Sequence, residues 1–427
     1  MGRLKLALFA LAFAGLTLGI AACGDDDDDG GGGGETALDL TIGDSVPLSG
    51  ALSPYGPPGQ KAADVAADVI TEAADEVGAE HTVEVIHGDN ETLPQPAVSV
   101  ARGMVDDGAS CIAGAWASSD TIPTARSVSI REGVLQISPS STSDEITALE
   151  DDGLVARTAP PDKYQGPTLA DAIEEDLGGA EGKVVNIGAR NDSYGEGLGG
   201  TFSEAWEAKG GEIGESVLYD PEQPSYDSEA GQIVAGNPDT IVIIDFPETF
   251  ANVGPALLRT GDYDPAKAWG TDGLTIGPVK PPEIVEGMKA TAPGSPNEGE
   301  APEAFATLFE ESEPTDVELA IFAGQNFDAV ILCYLSAVAA GSTDGADMAA
   351  ELVDLSGPPG DQYTFEQLGD AVEALQNGDD IDYEGAAGAL DMDEAGDPTA
   401  GVYDINEFQP DGSLEEIDEV PVPELEE

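Results

Sequence analysis

Basic residues are scarce in this chain of 427 residues, and their scarcity limits the partners it can have. Lysine and arginine together number 15 against 85 aspartates and glutamates, which gives a formal net charge of −70 at pH 7. A field of that sign repels the phosphate backbone, so nucleic acid is excluded as a partner. In molar salt the Debye length falls to about 3 Å, which removes most of the self-repulsion. We therefore interpret most carboxylates as solvated surface adapted to a saline exterior.

Histidine and cysteine are also rare. The two histidines, His81 and His87, lie near one predicted strand, and no G-x-S-x-G sequence occurs, so a Ser–His–acid triad or a histidine-rich metal site has little support. Cys111 and Cys333 lie in apolar runs without a neighbouring histidine, which argues against a catalytic thiol. A disulfide and two buried free thiols both fit these cysteines in an exported protein. The sequence thus predicts no enzymatic activity, no metal and no cofactor.

The first 23 residues have the layout of a secretory signal peptide. Arg3 and Lys5 precede an apolar stretch that is at the short end for a transmembrane anchor and finishes in small residues and Cys23. The ending IAAC resembles a bacterial lipobox, whose cysteine is acylated and becomes the mature N-terminus. Residues 24–37 are rich in Asp and Gly and predict a flexible tether. We expect a protein held by lipid on the outer face of the cytoplasmic membrane.

Strand and helix patterns alternate from residue 38 onward. Short β-branched runs such as LDLTIG, SCIAGAW and TIVIID are separated by helical stretches, the clearest of them at 57–77. This alternation predicts an α/β fold with parallel sheets covered by helices, and the length suits two such units. Ligands of open α/β sheets bind beyond the carboxyl ends of the strands, so the loops there are the expected site.

Hydroxyl side chains are concentrated in two of those loops. SSDTIP at 118–123 and ISPSSTSDEI at 137–146 carry more Ser and Thr than a helix cap requires, which indicates a loop rich in hydrogen-bond donors and acceptors. Two other motifs carry little weight. The G-x-G-x-x-G at 195–200 begins too far beyond its strand for a dinucleotide turn, and DMDEAGD at 391–397 lacks the bidentate Glu of a calcium loop.

Eight segments, in order and behind the lipobox, carry a resemblance to a known family. The chain resembles, from about residue 38 to 410, the solute-binding lipoproteins of branched-chain (hydrophobic) amino acid ABC transporters, the leucine/isoleucine/valine-binding type. The matching segments are IGDSVPLSGALSPYGPPGQKAADVA, GAWASSDT, LQISPSSTSDEIT, VARTAPPDKYQGPTLAD, DSYGEGL, WGTDGL, QNFDAVILCYLSAVAAGS and YEGAAGALDMDEAGDPTAGVYDI.

The resemblance implies a type I periplasmic binding fold: two Rossmann-like α/β lobes with parallel sheets, joined by three hinge crossovers, with a ligand cleft between them. By similarity the crossovers fall near residues 157–160, 272–280 and 397–402. The implied division is lobe 1 at 38–157 plus 276–398, lobe 2 at 158–275 plus 399–415, and an acidic tail at 416–427.

The resemblance also implies roles for individual residues. Ser118 stands where the family's hydroxyl meets the ligand carboxylate. Ser140, through its carbonyl, and Thr142, through its hydroxyl and N–H, stand where the ammonium and carboxylate are bound. Asp272 occupies the acidic position that pairs with the ammonium, and Tyr194 provides the ring that closes over from lobe 2. A zwitterion needs donors at one end and acceptors at the other, which the hydroxyl-rich loops would supply.

Further positions concern the side-chain pocket and the cysteines. Tyr55 and Phe327 match pocket positions of the family. Asp245 departs from the family pattern, and if it points into the cleft the pocket is polar and leucine becomes doubtful. Cys111 and Cys333 fall in the same implied lobe, which makes a disulfide between them conceivable.

The implied function is capture of a small amino acid or amide by hinge closure and its delivery, by a monomer, to ABC permease subunits. The family also includes binders of amides, urea and aromatic acids, so the ligand is only loosely fixed. A sensory receptor module of the same fold is the rival interpretation. An extracellular hydrolase is a third, and the missing triad argues against it.

Overall fold

The structure is a computed structural model that describes residues 37–275, 279–294 and 300–422. The predicted signal peptide with Cys23, and all but the last residue of the predicted tether, lie outside the described residues. Residues 423–427 of the predicted acidic tail also lie outside them.

Strands form two large sheets and a small third one. In chain order, the strands of the described residues are β1 (Leu38–Val46), β2 (His81–Asp89), β3 (Ala109–Gly114), β4 (Leu135–Ser138), β5 (Val155–Arg157), β6 (Val184–Arg190), β7 (Glu212–Tyr219), β8 (Thr240–Ile244), β9 (Ala268–Gly270), β10 (Lys289–Gly294), β11 (Asp361–Thr364), β12 (Ile381–Gly385), β13 (Gly388–Ala389), β14 (Val402–Phe408) and β15 (Leu414–Pro421).

The first large sheet has the order β2-β1-β3-β4-β5, and every neighbouring pair is parallel. The second has the order β15-β14-β10-β9-β8-β6-β7, parallel from β7 to β10 and antiparallel from β10 through β15. The runs quoted from the sequence fall in β1, β3 and β8, and all five residues of β8 are buried, as expected of a strand covered on both faces. The predicted two-lobed α/β fold is confirmed.

Helices cover the sheets and join their strands. In the same part of the chain they are α1 (Gly56–Val77), α2 (Pro94–Asp106), α3 (Ser118–Thr124), α4 (Ile130–Glu132), α5 (Asp144–Thr147), α6 (Asp162–Leu177), α7 (Ser193–Ala208), α8 (Asp227–Ile233), α9 (Pro247–Thr260), α10 (Glu300–Glu311), α11 (Ala323–Ala340), α12 (Gly345–Leu352) and α13 (Leu368–Asn377).

Local sequence explains where the helix predicted at 57–77 begins and ends. Proline occupies its first turn, where no intrahelical partner is needed for the missing N–H. Gly78 follows with a φ of 69°, a left-handed conformation that glycine adopts without steric cost, and its N–H bonds back to the last turn. The helix therefore begins one residue before its predicted start and ends at its predicted limit.

Two strands correct the division of the chain between the lobes. β10 pairs with β9 and β14 in the second sheet, although residues 276–398 were expected in lobe 1. The chain therefore leaves the second sheet after Gly294, later than the crossover expected near 272–280. β15 pairs with β14 along its length, so residues 416–421 form an edge strand instead of a tail. The other boundaries stay predictions.

The interior of the first lobe is built around α11. In the described part of the chain, this is the one helix long and apolar enough to cross a membrane, but 89% of it is buried inside the protein. It shares an apolar core with β1, β3, β4, α1 and α13. Cys333 on α11 forms a disulfide with Cys111 on β3, with the Cα atoms 5.9 Å apart. The bond joins two parts of the lobe that lie far apart in sequence.

His87 is held between two carboxylates at the surface of the first lobe. Its Nδ1 lies 2.8 Å from Asp44 Oδ2 and its Nε2 lies 3.0 Å from Asp64 Oδ1. Burial lowers the pKa of His87, but the hydrogen bonds and charges of the two aspartates outweigh burial and raise the pKa from 6.5 to about 10. The imidazole is therefore a cation in the folded protein at neutral pH.

We expect His87→Gln to destabilise the protein in a pH-dependent manner. Because the folded pKa lies above the unfolded one, the stabilisation is complete below about pH 6.5 and is lost as the pH rises towards 10. The difference in unfolding free energy should be about 1–3 kcal/mol at pH 6, discounted for solvent around this half-buried group. Denaturant titrations of both proteins at pH 6, 8 and 10 in one fixed salt measure it. A difference that stays constant with pH would contradict the assignment.

Candidate functional site

A cavity lies between the two lobes, at the carboxyl ends of strands from both large sheets. On one side its walls come from the loops after β1, β3 and β4 and from the turn before α11. On the other they come from the loops after β6, β8 and β9, and strand ends are the location expected for ligand sites of open α/β sheets. Its volume of about 20 Å³ has room for roughly one water molecule. The lining residues are Leu52, Tyr55, Trp116, Ala117, Ser118, Ser140, Tyr194, Phe246, Asp272, Gly273 and Phe322.

Asp272 places a carboxyl group on the second-lobe wall of the cavity. It is 3% exposed, and its Oδ1 accepts hydrogen bonds from Tyr194 Oη at 2.8 Å and Gln165 Nε2 at 2.9 Å. Burial raises the pKa of Asp272 to about 6, against the effect of these donors, so the group is ionised at neutral pH. It has no basic partner within ion-pair distance in the described residues, so the carboxylate can form an ion pair with a cationic group of a ligand.

Aromatic rings form most of the remaining wall. Tyr194 and Phe246 stack with centroids 5.1 Å apart, and the Arg190 guanidinium carbon lies 4.0 Å from the centroid of the Phe246 ring. From the first lobe, Tyr55 packs at 6.3 Å from Trp116 and 6.0 Å from Phe322. These rings are large, rigid and apolar, so the cavity favours an apolar side chain.

The hydroxyl-rich loops are tied to each other as well as to the cavity. Ser140 and Ser141 both donate to the Trp116 carbonyl, at 2.7 and 3.0 Å, and the Ser118 hydroxyl accepts from the Ser143 N–H at 3.2 Å. Part of the hydroxyl surplus noted in the sequence therefore joins one loop to the other. Ser118 and Ser140 also line the cavity. Within the described residues the Ser118 hydroxyl accepts a hydrogen bond and can still donate to a ligand, whereas the Ser140 hydroxyl donates to Trp116.

The lobes touch directly across the cavity. Tyr55 Oη lies 3.2 Å from the Asp272 carbonyl and 3.3 Å from the Gly273 carbonyl, and donates across the cleft. At Gly197 on α7, an added Cβ would approach Ser143 Oγ to 3.1 Å, so the missing side chain allows α7 to lie against the hydroxyl-rich loop. The structure is thus a closed arrangement of the two lobes.

Five of the eight binding residues expected from the resemblance line the cavity: Tyr55, Ser118, Ser140, Tyr194 and Asp272. Thr142 is buried beside them but does not line it. Its carbonyl accepts from the Asp162 N–H at 2.8 Å.

Phe327 and Asp245 lie elsewhere than expected. Phe327 belongs to the core of the first lobe, 5.0 Å from the Phe305 ring and 5.2 Å from the Phe365 ring. Asp245 is fully buried behind the cavity, where its Oδ2 accepts from Tyr219 Oη at 2.8 Å and its Oδ1 lies 3.5 Å from Arg190 Nη1. Asp245 is not among the residues that line the cavity, so the condition for a polar side-chain pocket, that Asp245 points into the cleft, is not met.

Five aromatic or apolar wall residues were not identified from the sequence: Leu52, Trp116, Ala117, Phe246 and Phe322. Trp116 was missed although it lies in the quoted segment GAWASSDT, two residues before Ser118. Phe246 directly follows Asp245, and successive residues at a strand end point to opposite faces. An alternation argument at the end of β8 would have weighed both residues and could have found Phe246.

The family described as "Periplasmic binding protein" matches residues 39–376. Among curated proteins, the chain is 26% identical over 373 residues to the "Chemotactic signal transduction system substrate-binding protein BasB" of Halobacterium salinarum, covering 85% of each chain. It is 31% identical over 188 residues to the "Leu/Ile/Val-binding protein homolog 3" of Brucella melitensis, which covers 44% of this chain and 48% of that one.

Solved structures share the fold. The leucine binding protein LivK of Thermotoga maritima superposes with a TM-score of 0.70 at 20% identity, over 89% of this chain and 98% of the other. The branched-chain amino acid transporter substrate binding protein LivJ of Streptococcus pneumoniae, solved with isoleucine, gives 0.70 at 21% identity, over 90% and 99%. At this identity the likeness speaks for the fold alone.

Proposed function

Since the chain belongs to the periplasmic binding protein family, we propose that it captures a small apolar amino acid outside the cytoplasm and releases it unchanged. The observation that carries the proposal is the buried Asp272 carboxylate at the edge of an aromatic cavity. Asp272 and the Ser140 carbonyl would bind the ammonium group, the Ser118 hydroxyl would donate to the carboxylate, and the rings would enclose the side chain. Each charge-assisted hydrogen bond contributes about 1.5–3 kcal/mol.

The wall chemistry favours an amino acid over the other ligands of the family. Benzoates carry no cation, so Asp272 would be left as a buried, unpaired charge next to a second negative group. Urea and small amides would leave the aromatic rings of Tyr55, Trp116 and Phe246 without an apolar partner. Asp245 is tied to Arg190 and Tyr219, which supports an apolar side chain over a polar one.

Capture requires the lobes to separate and close again. A cavity of about 20 Å³ cannot admit an amino acid, so the ligand must enter an open form in which Tyr55 has left the carbonyls of Asp272 and Gly273. The ligand shifts the population towards closure because contacts to both lobes exist only when they meet.

A thermal-shift and calorimetric screen in molar salt tests the ligand class. We expect leucine, isoleucine, valine or an aromatic amino acid to stabilise the protein, by about 2.7 kcal/mol at 100 times the Kd. Acetamide, urea and benzoate at the same concentrations serve as comparisons. Binding of benzoate or urea without any amino acid would refute the proposal.

Delivery to an ABC permease is the role we propose for the captured ligand. A sensory role is the second candidate, because the relative described as a chemotactic substrate-binding protein matches over 85% of both chains. Cells that lack this protein separate the two roles. Loss of labelled amino acid uptake identifies transport, and loss of chemotaxis towards the same amino acid with normal uptake identifies sensing.

We also propose that the mature protein is a monomer anchored through acylated Cys23. The lipobox-like IAAC and the Asp/Gly-rich tether support the anchor, which would keep the lobes near a membrane partner. Mass spectrometry of the mature N-terminal peptide tests it. An uncleaved or unacylated N-terminus would refute the anchor without affecting the binding proposal.

A further inference from the structure

Arg157 is a fully buried cation outside the cavity, at the last position of β5, where the chain leaves the first sheet. Its Nε donates to Asp397 Oδ1 at 2.6 Å, and Asp397 is 1% exposed. Its backbone N–H donates to the Gly396 carbonyl at 3.0 Å. The pair therefore joins two of the predicted crossovers, near 157–160 and 397–402, side by side.

The other two nitrogens of the guanidinium hold the hydroxyl-rich loop that follows β4, at residues 137–146. Nη1 donates to the carbonyls of Ser141 at 3.2 Å and Ser143 at 2.9 Å. Nη2 donates to Thr147 Oγ1 at 2.5 Å, and that hydroxyl donates in turn to Asp397 Oδ2 at 2.7 Å. One side chain thus connects the loop behind the cavity wall to the crossover at Asp397.

A buried ion pair is a weak explanation for stability alone, because apolar side chains of similar volume often stabilise as well or better. The guanidinium of Arg157 provides a geometry that no other side chain has. It is planar and presents five N–H donors in fixed directions, so it can donate hydrogen bonds to a carboxylate, a hydroxyl and two carbonyls at once. Lysine has one nitrogen and cannot reach all four. The pKa of Asp397 agrees with this arrangement: burial would raise it, but the charge and hydrogen bond of Arg157 hold it below 3.8.

We propose that Arg157 is a positioning residue for ligand binding. It holds the Ser140–Ser143 loop in the conformation that presents Ser140 to the cavity, and it fastens that loop to the Asp397 crossover. The inference rests on the proposed function, since the loop matters for affinity only if the cavity takes the ligand. Without the guanidinium the loop would be free to move away from the bound ligand, from the Ser118 hydroxyl that its Ser143 N–H contacts, and from the hinge.

Arg157→Lys tests the role, with Arg157→Met as a more severe change. The lysine variant keeps a cation beside Asp397 and is expected to fold, yet to bind the amino acid found in the ligand screen at least tenfold more weakly. The backbone amides of Ser141 and Ser143 should exchange hydrogen faster in the folded protein. Both amides now donate to hydroxyls, those of Ser138 and Ser118.

Lys61→Met is the matched control. Lys61 is another buried cation, 2% exposed, whose Nζ donates to the Pro314 carbonyl at 3.0 Å and lies 4.2 Å from the Phe309 ring, away from the cavity. It should lower Tm and leave affinity and loop exchange as in the wild type. A merely structural Arg157 would behave in the same way.

The outcomes separate this inference from the proposed function. Wild-type affinity in Arg157→Lys, with or without faster loop exchange, overturns the positioning role. If the wild-type protein binds no amino acid, the proposed function fails. In that case, unchanged amide exchange in Arg157→Lys overturns the inference that Arg157 holds the Ser140–Ser143 loop, and faster exchange confirms it.

Discussion

Replacing Asp272 with asparagine should weaken amino acid binding about 100-fold or more. Asparagine keeps an oxygen for the hydrogen bonds from Tyr194 and Gln165, so the wall should keep its shape while losing its charge. Loss of one partner of a buried charge pair typically costs about 3–5 kcal/mol, and each 1.4 kcal/mol is a tenfold change in Kd. Isothermal titration calorimetry with the ligand from the screen measures the change.

Asp328→Asn is the matched control for that experiment. Burial raises the pKa of Asp328 to about 6, as it does for Asp272, but its oxygens accept from Tyr383 Oη and from the N–H groups of Ala386 and Ala387 in the first lobe, away from the cavity. This variant should lose stability and keep its affinity. Equal affinity in Asp272→Asn and the wild type would remove the main support for an ammonium site.

A pH series adds an independent check on the same residue. The carboxylate that attracts an ammonium group is lost as the pH falls through about 6, the pKa of Asp272 before the ligand binds. Wild-type affinity should therefore decline below pH 6, by up to tenfold per pH unit, and stay level from pH 7 to 8. In Asp272→Asn this decline should be absent.

The sheets and the position of the site were predictable because short-range patterns determine them. β-branched runs mark strands buried on both faces, and the carboxyl-end rule locates the site without any knowledge of which strands pair. The loops that carry Ser118 and Ser140 could be found because they follow β3 and β4 and hold more hydroxyls than a cap requires, but the choice of these two serines came from the family resemblance. Tyr194 and Asp272 needed the family resemblance, since one tyrosine or aspartate among many carries no signal of its own.

Sheet membership and side-chain direction were harder to predict. β15 is an exposed, acidic edge strand held by backbone hydrogen bonds, so its composition resembles that of a tail. Phe322 and Phe327 lie five residues apart around the start of α11, and Phe322 adopts a φ of 67° that precedes the helix. That turn directs Phe322 to the cavity and Phe327 to the core, and no periodicity in the sequence predicts the turn.

The position of Asp245 was hard to predict for a related reason. A buried acid at a strand end attracts a functional interpretation, but Arg190 and Tyr219 supply the partners that a buried carboxylate needs. These partners come from β6, which neighbours β8 in the folded sheet, and from β7, which lies one strand further along. A pairing between strands decides whether such an acid faces a ligand or stabilises the fold, and single-sequence reasoning does not reach it.

Removing the Cys111–Cys333 disulfide should produce the largest loss of stability of any change considered. The first lobe is assembled from two chain segments that strands β6 to β10 of the second sheet separate in the sequence, and the bond joins residues 222 positions apart. The chain-entropy model gives about 5 kcal/mol for a loop of that length. Cys111→Ala combined with Cys333→Ala should lower the unfolding free energy by that order, measured by denaturant titration in fixed high salt.

Ser336→Ala, one turn further along α11, is the control. Its buried hydroxyl has no partner among the described residues, so its removal should be neutral or stabilising. Both sulfurs are fully buried, so a reductant should act on the native protein only as fast as it opens. Neither cysteine lines the cavity, and the double variant should bind ligand normally wherever it is folded. A loss below about 1 kcal/mol would mean that packing around α11, and not the covalent link, holds the two segments of the lobe together.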